Sequence, residues 1–285
     1  MPLAALYDLP APAKLNLFLH VVGRREDGYH LLQSVFMLID WCDTLHFERR
    51  SDGQIHRQDL TVQLPEHDLI TRAASLLQQH TGCTHGVDIA VEKRIPAQAG
   101  MGGGSSNAAS CLLALNRLWD LHLPVRTLEQ LGLQLGADVP FFLRGRNAWV
   151  EGVGEQITPI ALPAARFCVL KPAAGLETAQ IFRDPRLNRA TKPAILSVFA
   201  ADPYGFGHND LQPVAQALCP QVTQALECLA AAGMNARMTG SGSAVFAHCQ
   251  TAHQTRQVHC PEHWVMRECS NLEVHPLQGW ASSDN

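Results

Sequence analysis

The order of apolar and polar positions predicts a chain of mixed strands and helices. Residues 15–21 alternate in part and residues 44–48 alternate again, so the stretch 4–50 reads as strands. The polar stretch 51–65 reads as a hairpin region. Ile70, Ala73, Ala74 and Leu77 share one face of a helix over residues 69–79, and Gly82 stops it. Residues 87–91 form a strand ended by Arg94-Ile95-Pro96. Ala108, Leu112, Leu115 and Trp119 fall on one helical face and predict a helix running to about residue 119. A further helix spans 127–135, with Thr127 as its cap and Gly136 as its stop. The second half offers a strand at 166–170, a long connection over 183–208 and helical material over 210–232 broken at Pro220. Two more strands, at 234–238 and 244–249, flank Gly240-Ser241-Gly242. No regular strand–helix–strand rhythm emerges, which favours an α+β fold over a doubly wound sheet. Pro159 and Pro163 flank a change of composition and suggest two domains, 1–160 and 161–285.

Composition narrows the function classes. The 22 Lys and Arg against 26 Asp and Glu give a net charge of −4, and no basic block occurs. General binding to nucleic acid or to a membrane surface is therefore not expected, although a local basic pocket stays open. No apolar run is long enough to span a bilayer, and the N-terminus lacks a basic start followed by an apolar stretch. Nine cysteines without a C-x-x-C pair, several inside apolar runs, fit a reduced, cytoplasmic setting without a disulfide framework. His253, His259, Cys260, His263 and Cys269 follow no standard zinc spacing, and no protein metal ligand is assigned.

The chemistry concentrates in Pro96-Ala97-Gln98-Ala99-Gly100-Met101-Gly102-Gly103-Gly104-Ser105-Ser106-Asn107. Glycines let backbone N–H groups approach an anion, and the helix that follows offers unpaired amides and the positive end of its dipole. Strand, glycine loop and helix start together make a phosphate cradle. Ser105 and Ser106 are candidates to cap the helix, bind phosphate or touch a metal. The segment is not a P-loop, because no Gly-Lys pair exists, and G-x-G-x-x-G fails because Ser105 stands at its third glycine. Protein-kinase signatures are absent.

Three further segments complete a pattern: Pro12-Ala13-Lys14-Leu15-Asn16-Leu17, Gly136-Ala137-Asp138-Val139-Pro140 and Thr239-Gly240-Ser241-Gly242-Ser243. With the glycine loop they resemble the GHMP kinases, a family of small-molecule kinases. Asp27-Gly28-Tyr29-His30 narrows the resemblance to the branch acting on a cytidine-diphosphate-linked polyol, and the likeness extends over nearly the whole chain.

The resemblance implies a two-domain fold with its site between the lobes. It implies ATP as co-substrate, held by Pro96 to Ser106, and Mg²⁺ on its phosphates. It implies Asp138 as the catalytic carboxylate and Lys14 as its partner, with Asn16 two residues along a strand on the same face. It also implies that Tyr29, His30 and Phe182 meet the cytosine and that Thr178 meets the polyol or diphosphate. Where the family usually has Asn before its first helix, to hold the nucleoside of ATP, this chain has Asp68, which accepts but cannot donate. Gln98-Ala99 likewise replaces glycines common early in the loop. Another GHMP kinase, acting on homoserine, mevalonate or a sugar, and a ligand-binding protein of the same fold remain the alternatives. Oligomeric state is not legible.

Overall fold

The computed structural model describes residues 3–251 and 253–282. Two long strands, β1 (Ala5–Arg24) and β2 (His30–Arg50), form an antiparallel hairpin that runs from Ala5 opposite Glu48 to Arg24 opposite His30. At its tip the Arg25 amide donates to the Tyr29 carbonyl and the Gly28 amide to the Arg25 carbonyl. Then come β3 (Ile55–Asp59), α1 (Leu69–Thr81) and β4 (Gly86–Glu92), followed by α2 (Gly103–Leu118), α3 (Val125–Leu135), α4 (Val139–Arg144), β5 (Ala148–Gly152) and β6 (Gln156–Pro159). These strands form one sheet in the order β3-β4-β2-β5-β6, with β1 also paired to β2.

The second half holds β7 (Arg166–Lys171), α5 (Thr178–Arg183), α6 (Leu196–Ala201), α7 (Gln212–Leu218), α8 (Pro220–Ala231), β8 (Ala236–Met238), β9 (Val245–Cys249) and β10 (Val265–Ser270). Its strands form a separate sheet in the order β10-β7-β9-β8. Residues after β10 return to the first half, where Val274 bridges Arg146 and Leu277 enters that half's core.

Two expectations change here. The stretch 51–65 is no hairpin: β3 runs parallel to β4 and reaches it through α1. Ile55 is the only apolar residue of β3, too weak a pattern to reveal the strand. The cap of α3 is Pro124 rather than Thr127, so the helix begins at Val125. Helix α2 is buried from Ser106 to Asn116 without a polar face, because α1, α3, α4 and the sheet surround it.

β1 carries the site through an irregularity. Ala13, Leu15 and Leu17 point into the core shared by the two sheets, with Phe167, Val169 and Phe246. Lys14 and Asn16 therefore point the other way. A register shift between Asn16 and Leu19 reverses the alternation, so that Phe18 joins the shared core while Leu19 and Val21 pack with Leu170 and Val222 of the second half. This bulge explains why the alternation in the sequence was only partial. One strand thus belongs to three cores, with its two polar residues held between them.

Candidate active site

The glycine loop descends from β4 into α2. Gly102 is the residue before the helix, at φ 69°, and no side chain caps it. Ser105 and Ser106 lie inside the first turn, which corrects the capping role offered for them. The Ser106 amide makes the first helical bond, to the Gly102 carbonyl, so the amides of Gly103, Gly104 and Ser105 precede any intrahelical acceptor. The Ser106 hydroxyl is buried and has no partner among the described residues. Gly100, at φ 71°, is required by a close approach: a Cβ there would stand 2.2 Å from the Thr239 carbonyl oxygen. Gln98 adopts φ 49° without being glycine, and its carbonyl accepts from the Ser243 amide at 3.1 Å. The loop 239–243 thus clamps the glycine loop from the second half of the chain.

β1 is fastened to the same loop, because the Lys14 amide donates to the Met101 carbonyl at 3.0 Å. The Lys14 side chain is 4 % exposed. Its ammonium donates to Asn16 Oδ1 at 2.5 Å, lies 3.5 Å from Asp138 Oδ2 and sits 4.5 Å from the centre of the Phe36 ring. Asn16 is held in turn: its amide Nδ2 donates to Ser34 Oγ at 2.9 Å and its backbone N–H to Thr239 Oγ1 at 2.9 Å. Asp138 precedes α4, where it could have served as a cap, but its carboxylate makes no capping bond. It is left facing Lys14 and open space.

These groups line a cavity of about 840 Å³. The structure brings Lys14, Asn16, Asp68, residues 96–105, Asp138, Thr178 and Phe182 to its wall, and leaves Ser106 just beneath. Thr178 Oγ1 lies 2.7 Å from Ser241 Oγ. Tyr29 and His30 line a second cavity of about 510 Å³, which shares Ala179 and Phe182 with the first. The His30 and Phe182 rings are 5.0 Å apart. Burial, then the charges of Arg189 and Arg24, hold the His30 imidazole below its ordinary pKa. Asp68 does cap α1, accepting from the Thr71 amide at 3.0 Å, and it also pairs with Arg57 at 2.8 Å. One carboxylate oxygen is therefore already occupied.

Several residues escaped the sequence reading. Asp43 is fully buried and accepts from the Arg94 and Ile95 amides at 2.7 and 2.8 Å, from Asn107 Nδ2 at 2.9 Å and from the Lys93 ammonium. This network fixes the strand end from which the glycine loop starts, and Lys93 reaches the cavity wall. Arg189 joins His30 to the end of α5. A buried Asp and a lone Arg in an irregular stretch carry no spacing signal. Among the described residues no three His, Cys, Asp or Glu side chains converge, and this includes the C-terminal His/Cys set. No helix is long and apolar enough to cross a membrane among those residues.

The arrangement can hold a polyanion on backbone amides and place a carboxylate beside an ammonium next to it. Comparison with known proteins agrees in fold and in family. Residues 68–146 match the GHMP kinases N terminal domain and residues 197–260 the GHMP kinases C terminal model. The chain is 62 % identical to the 4-diphosphocytidyl-2-C-methyl-D-erythritol kinase of Variovorax paradoxus, over 98 % of this chain and 99 % of that protein. It is 61 % identical to the kinase of the same name from Delftia acidovorans, over 99 % of each chain. A crystal structure of 4-(cytidine 5'-diphospho)-2C-methyl-D-erythritol kinase superposes with a TM-score of 0.80 at 35 % identity, covering 93 % of this chain and 99 % of that one. Mevalonate kinase from L. major, at 15 % identity and a TM-score of 0.67, shares the fold. On full-length identity of this order, the chain belongs to the GHMP kinases and, within them, to the 4-diphosphocytidyl-2-C-methyl-D-erythritol kinase family.

Proposed function

We propose that the chain transfers the γ-phosphoryl group of ATP to the 2-hydroxyl of 4-diphosphocytidyl-2-C-methyl-D-erythritol, giving the 2-phosphate and ADP, a step in isoprenoid precursor formation. The observation that carries the reading is the Lys14–Asp138 pair, 3.5 Å apart at the wall of a cavity floored by the glycine loop. The lobes of this reading are residues 1–160 and 161–285; the division of the strands into two sheets on either side of residue 160 supports the boundary, while the segment after β10 packs back on the first lobe.

In this mechanism residues 96–106 hold the ATP phosphates on backbone amides, and Asp68 takes the nucleoside through whatever lone pairs its cap leaves. Tyr29, His30 and Phe182 receive the cytosine, and Thr178 the polyol or diphosphate. The substrate hydroxyl attacks phosphorus as the bond to the β,γ-bridging oxygen breaks, and Asp138 accepts the hydroxyl proton. Lys14, oriented by Asn16, stabilises the charge that develops. The Ser106 hydroxyl, buried and without a partner among the described residues, is a group that would help hold a Mg²⁺, and that ion would neutralise phosphate charge when bound. The site is expected in solution, in the cytoplasm, on a small molecule rather than on nucleic acid.

ADP release with Mg·ATP tests this. Turnover is expected with the cytidine substrate and not with homoserine, mevalonate or galactose. Asp138→Asn is expected to lower kcat by about 10²–10⁴-fold, and Lys14→Met by a similar factor, with the fold retained. Near-normal turnover in either variant, or turnover with another alcohol alone, overturns the reading.

A further inference from the structure

We infer that Arg189 is a specificity-determining positioning residue: it fixes the tautomer of His30, and so makes the pocket at the hairpin tip select cytosine over uracil. The inference rests on the cytidine reading of that pocket and adds a residue and a mechanism to it.

Arg189 lies in the irregular stretch after α5. Its Nε–H donates to His30 Nε2 at 3.0 Å. An arginine has no lone pair to offer and keeps its protons at any working pH. His30 Nε2 must therefore be the nitrogen that carries the lone pair, and in the neutral ring the proton sits on Nδ1. Protonating the ring would set a second N–H against that of Arg189. Among the described residues Nδ1 makes no hydrogen bond, and the imidazole lines the cavity of about 510 Å³. The imidazole thus presents a donor of fixed identity to a pocket whose wall also carries Arg24, Tyr29 and Arg183.

The guanidinium is itself immobilised. Nη1 donates to the Leu187 carbonyl at 3.0 Å, and Nη2 donates to the carbonyls of Phe182 at 3.0 Å and Asp184 at 2.9 Å. One side chain therefore ties the ring of His30 to the backbone of Phe182, whose ring stands 5.0 Å from that of His30. Arg189 reaches neither the glycine loop nor Asp138.

A fixed donor discriminates between pyrimidines by their N3. In cytosine N3 is an acceptor and pairs with Nδ1–H. In uracil N3 carries hydrogen, so two donors meet and both lose their bonds on desolvation. A ring free to change tautomer would offer Nδ1 as an acceptor and admit uracil. Arg189 removes that freedom.

Two measurements test this. The first uses the unmodified protein without substrate: ¹⁵N NMR of histidine-labelled protein, with His30 assigned by comparison with His30→Ala. Nε2 is expected as the unprotonated nitrogen; a proton on Nε2 overturns the inference. This reading holds or fails whatever the enzyme's substrate proves to be. The second compares kcat/KM for the cytidine substrate and its uridine counterpart in the wild type, Arg189→Met and Arg189→Lys. The wild type is expected to favour cytidine by about 10²-fold or more. Arg189→Met is expected to lose at least tenfold of that preference through the KM of the pyrimidine substrate, with the KM of ATP within about twofold. Arg189→Lys, which keeps a donor to Nε2, is expected to retain more of the preference than Arg189→Met. A cytidine preference unchanged in Arg189→Met overturns the inference. Absence of turnover with cytidine in the wild type instead overturns the functional reading and leaves the tautomer result standing.

Discussion

Gly100 and Gly82 make a matched pair for measuring how tightly the two halves are joined at the site. Both sit in the left-handed region, at φ 71° and 65°. An alanine in that region costs about 1–2 kcal/mol, of which about 0.4–1 is returned by the stiffer unfolded chain. At Gly82 nothing lies within 4 Å of the added Cβ, so Gly82→Ala should cost about 1 kcal/mol and no more. At Gly100 the Cβ would stand 2.2 Å from the Thr239 oxygen and 2.8 Å from the Gly242 nitrogen, both backbone atoms that cannot rotate away. Ordinary carbon–oxygen contact lies near ~3.3 Å, so the loops must part by about 1 Å. That separation breaks the bonds from the Ser243 amide to Gln98, at 3.1 Å, and from the Ala244 amide to Ala99, at 3.3 Å. At about 0.5–1.5 kcal/mol each, they bring the total for Gly100→Ala to about 2–4 kcal/mol. Thermal unfolding followed by circular dichroism reads the difference at about 2–4 °C per kcal/mol. Because the parted loop is the proposed phosphate site, the KM of ATP should also rise by about tenfold or more in Gly100→Ala and stay unchanged in Gly82→Ala. Equal melting shifts, together with an unchanged KM in Gly100→Ala, would refute the clamp.

Two further outcomes follow from buried charge. The Arg57 guanidinium, 9 % exposed, pairs with Asp59 and Asp68, each at 2.8 Å, and donates to the Leu64 and Pro65 carbonyls. Arg57→Met leaves two largely buried carboxylates without their cation, so it should cost about 3–5 kcal/mol in a urea titration and raise the KM of ATP through Asp68. A loss below about 1 kcal/mol would show the pairs to be superficial. Burial pushes the His275 imidazole down to about 3 from its ordinary 6.5. The folded state then binds fewer protons than the unfolded chain between those values. The stability that the neutral ring contributes is present above about pH 6.5 and lost as pH falls, by about 1.4 kcal/mol per unit. His275→Gln should flatten the acid-unfolding profile in that window, and an unchanged slope would contradict the assignment.

Much of this architecture was legible because it is written in local spacing. The buried face of α1 falls on Ile70, Ala73, Ala74 and Leu77, and its stop is Gly82 in the left-handed region, as periodicity and composition predict. The strands at 166–170 and 244–249 and the break at Pro220 also stand where the pattern puts them. What stayed hidden depends on partners far along the chain. β3 exists because β4 lends it a parallel ladder, not because its own residues alternate. The short strand β5 takes its ladder from β2, far earlier in the chain, and β6 pairs with β5 at the edge of the sheet. Asp43 looks like any surface carboxylate until the chain returns 50 residues later with Lys93 and 64 residues later with Asn107.

The site itself follows the same division between local chemistry and distant support. Lys14, Asn16 and the glycine loop are readable as residue types in a motif, but what holds each of them is remote. Asn16 takes its backbone partner from Thr239, 223 residues away, and Lys14 takes its own from Met101. Gln98 keeps a left-handed backbone that its side chain disfavours, next to the bond that Ser243 makes to its carbonyl. None of these bonds is strong alone, at about 1 kcal/mol each. Their effect is geometric: β1 can present Lys14 to Asp138 only when the glycine loop is in place, and the glycine loop is in place only when the 239–243 turn has docked. Formation of the site is therefore coupled to association of the two halves. A perturbation along that seam should therefore reach catalysis and global stability together, because Ala99, Met101 and Ala244 at the seam belong to the core that the two sheets share.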